Sequence, residues 1–121
     1  MIIAIDFDGT IVKDEYPAIG ELISGAKETI NQFYKDGHHI IIWTCRAGKA
    51  LRDAVDFLNE NGIMFHSANE SHPANVQEYG ELDTRKIYAD VYIDDKSLIF
   101  IQNWSFIQQK VNALCSKQNT Q

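Results

Sequence analysis

The chain has 121 residues, enough for one domain with a real core, and its 45% apolar and 23% charged residues are ordinary for a soluble globular protein. A net charge of −6 leaves no excess of cations to neutralise phosphates, which argues against non-specific binding to nucleic acid or to an anionic membrane. The two cysteines make no disulfide framework, Met1 leads straight into an acid-bearing strand rather than a signal peptide, and no stretch approaches a membrane span, so a cytoplasmic protein is expected.

The first element is an apolar run, Ile2–Ile5, of strand length and character. It ends in Asp6-Phe7-Asp8-Gly9-Thr10, two carboxylates two residues apart followed by glycine and threonine. Acids at the rim of a packed sheet cost free energy unless something compensates them, and a divalent cation is the usual compensation. An Asp-Gly turn with solvated acids is the plain alternative for this segment alone. Residues 9–20 read as a loop or small hairpin. A helix follows, with Ser24 as its expected N-cap, Ala26, Ile30 and Phe33 on one face, and Gly37 as its stop. The second strand is His39–Trp43, which ends in Thr44-Cys45-Arg46. Because Cys45 closes an apolar run, its thiol is expected to be buried. Leu51, Val55 and Leu58 then make a helical stripe closed by Asn61-Gly62.

A weaker strand is placed at Ile63–His66. The polar stretch 67–85 contains Pro73 and Gly80, with one short helix near Asn75–Tyr79. Val91–Ile93 is the next buried strand and ends in Asp94-Asp95. Leu98–Ile101 suits either an edge strand or the start of the last helix, whose stripe is Trp104, Ile107, Val111 and Leu114. Residues 116–121 are expected to fray. The apolar stripes are read as core, since one buried face is what any surface helix needs. The four histidines lack metal-ligand spacing and are read as surface or strand-end residues.

Alternating strands and helices predict an α/β fold, a three-layer α/β/α sandwich around a mainly parallel, Rossmann-like sheet. The strands of such a sheet point the same way, so their C-terminal ends share one edge. That edge gathers Asp6, Asp8, Thr44, Asp94 and Asp95, with Lys86 a few residues before the last strand. Clustered carboxylates repel one another, and a hard cation with oxygen ligands relieves the repulsion. Mg²⁺ favours carboxylates together with phosphate oxygens and water. A hydroxyl and an ammonium beside such a cluster suit a phosphoryl group.

Asp6-Phe7-Asp8-Gly9-Thr10, then Thr44, then Lys86, then Tyr92-Ile93-Asp94-Asp95 resemble the four ordered motifs of the haloacid dehalogenase superfamily, across nearly the whole chain. The stretches 43–46 and 86–95 also resemble a group of small hydrolases of that kind. The resemblance implies a Mg²⁺-dependent phosphatase. Asp6 would be the nucleophile that becomes an aspartyl-phosphate, and Asp8 the general acid and base. Asp6, Asp94 and the backbone carbonyl of Asp8 would hold the metal, while Asp95 would act through water or by orienting Lys86. Thr44 and Lys86 would bind the phosphoryl group. One departure from the pattern is Ile87, where many relatives have proline after the lysine.

Arg46 and Lys49 are further candidates for the substrate's anionic part, and Cys45 beside them is a candidate site residue. Tyr16 and Pro17 are candidates for the pocket wall, and Asn69 and Glu70 are weaker ones. Neither gap between motifs accommodates a cap domain, so water exclusion falls to the substrate, short loops or a second copy in a homo-oligomer. The substrate is expected to be a small phosphorylated metabolite or an exposed macromolecular phosphate. Two other readings stand beside this one: a non-catalytic, receiver-like phosphate-sensing module, and a metal-independent dehalogenase.

Overall fold

A computed structural model describes residues 1–79 and 84–119. Four strands form one parallel sheet: β1 (Ile2–Ile5), β2 (His39–Ile42), β3 (Ser67–Ala68) and β4 (Val91–Ile93), in the order β3-β2-β1-β4. The register aligns Ile3 with Ile40 and Val91, and Ile5 with Ile42 and Ile93. Side chains alternate across such a sheet, so Ile3, Ile5, Ile40 and Ile42 share one face. Buried side chains of three helices join them in one core: Ile30 and Phe33 from α1 (Ala26–Lys35), Ala54 and Leu58 from α2 (Gly48–Glu60), and Trp104 and Val111 from α4 (Trp104–Asn119). Truncating a buried aromatic such as Phe33 costs about 3–5 kcal/mol in cores of this kind.

The opposite face is thinner. Ala4 and Ile41 pack on Ile87 and Ala89, and α3 (Pro73–Tyr79) shares a cleft of about 590 Å³ with Ile87. The expected α/β fold is therefore present, with its layers unequal in depth. Among the described residues there is no cap domain, and no helix is long and apolar enough to cross a membrane.

Several local expectations change. The N-cap of α1 is Gly25, at φ 86°, rather than Ser24, and no side chain caps the helix. The weaker strand, β3, pairs at 67–68 instead of 63–66. The reason is that Ile63 is drawn into the core, so sheet pairing starts only where the His66 N–H reaches the Ile40 carbonyl, at 2.9 Å. Leu98–Ile101 is neither strand nor helix, and Leu98 and Ile99 lie almost fully in solvent. Residues 116–119 continue α4 rather than fray; residues 120–121 and, within the polar stretch, 80–83 lie outside the described residues. After β1 the chain makes a small flap, closed by the Lys13 N–H to the Glu21 carbonyl and the Ile23 N–H to the Ile11 carbonyl.

Candidate functional site

Parallel strands bring their last residues to one edge, and the acids lie there. Asp6 follows β1, and Asp94 and Asp95 follow β4, its paired neighbour. Oxygens from these three carboxylates lie within 4.8 Å of one another. Thr10 stitches the group together. Its hydroxyl faces Asp6 Oδ2 at 3.1 Å and Asp95 Oδ1 at 3.4 Å, and it accepts the Asp95 N–H at 3.0 Å. The turn between Asp6 and Thr10 needs Gly9. Its φ is +85°, and a Cβ there would stand 2.2 Å from Asp95 Oδ2. Asp94 Oδ1 accepts the Lys96 N–H at 2.9 Å.

The electrostatic result is a frustrated acid. Burial, then the Asp95 carboxyl, then the charge of Asp94 push the Asp6 pKa up to about 8, against a smaller downward pull from the Thr10 hydroxyl. The donor set consists wholly of carboxylate oxygens, which suits a hard divalent cation and not a soft one.

A cavity of about 410 Å³ opens on this edge, lined by Asp6, Asp8, Thr44, Arg46, Asp94 and Lys96, with Asp14, Tyr16 and Cys45 completing the wall. The larger cleft beside α3 holds none of the clustered acids, so chemistry rather than size marks the site. Thr44 stands where β2 has ended. Its N–H donates to Asn69 Oδ1 at 2.9 Å, and its hydroxyl accepts the Arg46 N–H at 3.1 Å. The hydroxyl hydrogen can then turn to an acceptor in the cavity. Asn69, at φ 58°, also reaches the Arg46 carbonyl, so it supports the loop that carries Thr44.

Other candidates are placed differently. Cys45 is exposed on the cavity wall, not buried, because the chain leaves the sheet after Ile42; no disulfide joins it to Cys115. Arg46 is buried and holds Asp8 by two hydrogen bonds, of 2.7 and 2.8 Å. With its remaining donors on backbone carbonyls, it has none left for a substrate anion. Lys49 turns along α2 to Asp53, at 2.8 Å. Lys86 rests over the Tyr92 ring, at 4.7 Å from its centroid, and is not on the cavity wall. Asp95 faces Thr10 and Gly9 and so does not orient Lys86.

Three features went unread in the sequence. Lys96 lines the cavity, Thr10 acts as a hub, and Asp14 reaches the wall. The signal for Lys96 was its position two residues beyond Asp94. For Thr10 it was a hydroxyl four residues after Asp6.

Comparison with known proteins agrees with this geometry. No curated protein matches the chain. A solved structure described as a conserved protein from Bacteroides thetaiotaomicron is similar, with a TM-score of 0.84 and 37% identity, over 93% of this chain and 90% of that one. The model of the haloacid dehalogenase-like hydrolases matches residues 3–120. With that match over nearly its whole length, the chain belongs to the haloacid dehalogenase-like hydrolase family.

Proposed function

We propose that this hydrolase is a Mg²⁺-dependent phosphomonoesterase working through an aspartyl-phosphate on Asp6. The observation that carries the reading is the convergence of Asp6, Asp94 and Asp95 within 4.8 Å beside a cavity that also holds Asp8 and Thr44. Asp6, Asp94 and Asp95, with the Asp8 carbonyl, are the residues that would hold the ion. When bound, the ion neutralises the carboxylates and the phosphoryl oxygens that approach them.

The chain's own residues then divide the work. An Asp6 oxygen attacks phosphorus, and the bond from phosphorus to the leaving oxygen breaks. Asp8, carrying a proton on a lone pair that the Arg46 fork leaves free, gives it to that oxygen. The resulting carboxylate takes a proton from water, whose oxygen attacks phosphorus and returns Asp6 free with inorganic phosphate. Thr44 donates to a phosphoryl oxygen. Lys96 stands ready on the wall to offset charge, and Lys86 joins only by leaving the Tyr92 ring.

The substrate is a phosphomonoester that enters an uncapped cavity: a small metabolite or a phosphate exposed on a macromolecule, with a second copy of the chain as the cover. The setting proposed is cytoplasmic. Phosphate release from p-nitrophenyl phosphate, with and without Mg²⁺, tests the reaction. Acid-quenched protein should carry one phosphoryl group on Asp6. Metal-independent turnover, or a long-lived phosphoryl-protein without release, would contradict the reading.

A further inference from the structure

Arg46 is the largest fully buried side chain among the described residues, and the hydrogen bonds of its guanidinium go to two places. One is Asp8. Nε donates to Oδ2 at 2.7 Å and one terminal nitrogen donates to Oδ1 at 2.8 Å, a fork that fixes the plane of the carboxylate. The other is the surrounding backbone. That same terminal nitrogen donates to the Ala18 carbonyl at 2.9 Å, and its twin donates to the carbonyls of Pro17 at 3.1 Å and Ala50 at 3.2 Å. A guanidinium has five N–H donors, and these contacts use them all. The rings of Phe7 and Tyr16 cover it, at 5.2 and 5.1 Å from their centroids.

The arrangement is unusual for its surroundings. Residues 13–18 are exposed, yet two of their carbonyls are held by a side chain that solvent does not reach. Burying an ion has a high desolvation cost, and a surface loop can be anchored by far simpler means. The guanidinium instead ties the flap to Asp8, a carboxylate of the cavity that lies outside the metal cluster.

We propose that Arg46 is a positioning residue that locks the Asp8 carboxylate in direction and couples it to the flap at 17–18, so that flap geometry and acid–base geometry change together. This rests on the phosphatase reading. Lysine cannot replace the fork, since an ammonium is a point donor without the planar geometry. The consequence falls on proton delivery to the leaving oxygen rather than on attack at phosphorus.

The experiment compares wild type, Arg46→Lys, Asp8→Asn and the double variant on two substrates. p-Nitrophenyl phosphate has a leaving group that needs little protonation, while a phosphorylated simple alcohol needs it fully. Arg46→Lys is expected to lower kcat on the alkyl ester by about 10-fold or more, with a much smaller change on the nitrophenyl ester and little change in KM. In the Asp8→Asn background the same substitution should add almost nothing on either ester. Losses equal on both esters, or additive with Asp8→Asn, would overturn the proposal and leave Arg46 a structural anchor.

Removing one partner of a buried ion pair is strongly destabilising. If Asp8→Asn or Arg46→Lys does not fold, Tyr16→Ala loosens the latch from its exposed side. Its loss should again be greater on the alkyl ester, and an equal loss on both would count against coupling. Absence of Mg²⁺-dependent hydrolysis in the wild type is a separate outcome. It removes the phosphatase reading, and with it the acid–base role assigned here.

Discussion

The two ends of the same parallel sheet carry opposite kinds of electrostatic frustration. At the C-terminal edge, Asp6, Asp94 and Asp95 crowd together, and Asp6 is pushed to a pKa of about 8. Toward the N-terminal edge, three imidazoles crowd instead. His39 stands 4.2 Å from His66 and 4.3 Å from His72, ring centre to ring centre, and Tyr34 stacks on His66 at 4.7 Å. Burial, then the neighbouring His66 and His72, lower the His39 pKa to about 4. Asp6 and His39 are each pushed toward the neutral form. The difference lies in how each is relieved. A neutral His39 stacks on its neighbours and needs no ion, although its buried Nε2 has no hydrogen-bond partner among the described residues. Asp6 cannot serve as ligand or nucleophile while protonated, and a cation from outside is what the proposed function brings to the acid cluster.

The variants that break this contrast most severely act at the acid end. Asp6→Asn should abolish phosphate release and the trapped phosphoryl group while circular dichroism shows an intact fold. Asp8→Ala should slow turnover by ~10²-fold or more, the scale of lost general acid–base help, yet keep Mg²⁺ uptake, because only its carbonyl is assigned to the ion. Gly9→Ala forces a Cβ onto Asp95 at a positive φ. It should destabilise the protein by about 1–3 kcal/mol in urea unfolding and weaken Mg²⁺ uptake.

Titration sharpens the same contrast. Asp6 has a folded pKa above its unfolded one, so its contribution to stability is present at low pH and lost as pH rises from 3.8 through about 8. Mg²⁺ should therefore raise the unfolding midpoint more at about pH 8 than at about pH 5. The sign reverses for His39, whose folded pKa is lowered. Its contribution is present above 6.5 and lost as pH falls through about 4. His39→Gln should flatten the acid limb of the stability curve, read by thermal melts. The smallest expected effect is that of Lys49→Ala, which removes an exposed helical ion pair with Asp53 and should cost under about 0.5 kcal/mol.

The acid edge was legible in the sequence because strand direction alone determines it. Once Ile2–Ile5 and Val91–Ile93 run parallel as neighbours, Asp6 and Asp94 must lie close, whatever the loops do. The helices were legible for a similar reason: their stripes need only a core to face. What escaped depends on where loop side chains turn. Arg46 has the same sequence context whether it meets a substrate anion or folds inward onto Asp8, and only the 13–18 flap decides. Lys86 could be aligned by order along the chain, but its resting place on Tyr92 follows from the path of residues 84–90. The histidine stack joins residues 27 and 33 positions apart, so no local spacing announces it.

Calorimetric titration of Mg²⁺ into the protein and into Asp94→Ala tests the convergence of acids most directly. One ion bound per wild-type chain, with uptake lost or greatly weakened in the variant, is the predicted result. No uptake by the wild type, or equal uptake by both proteins, would contradict the account.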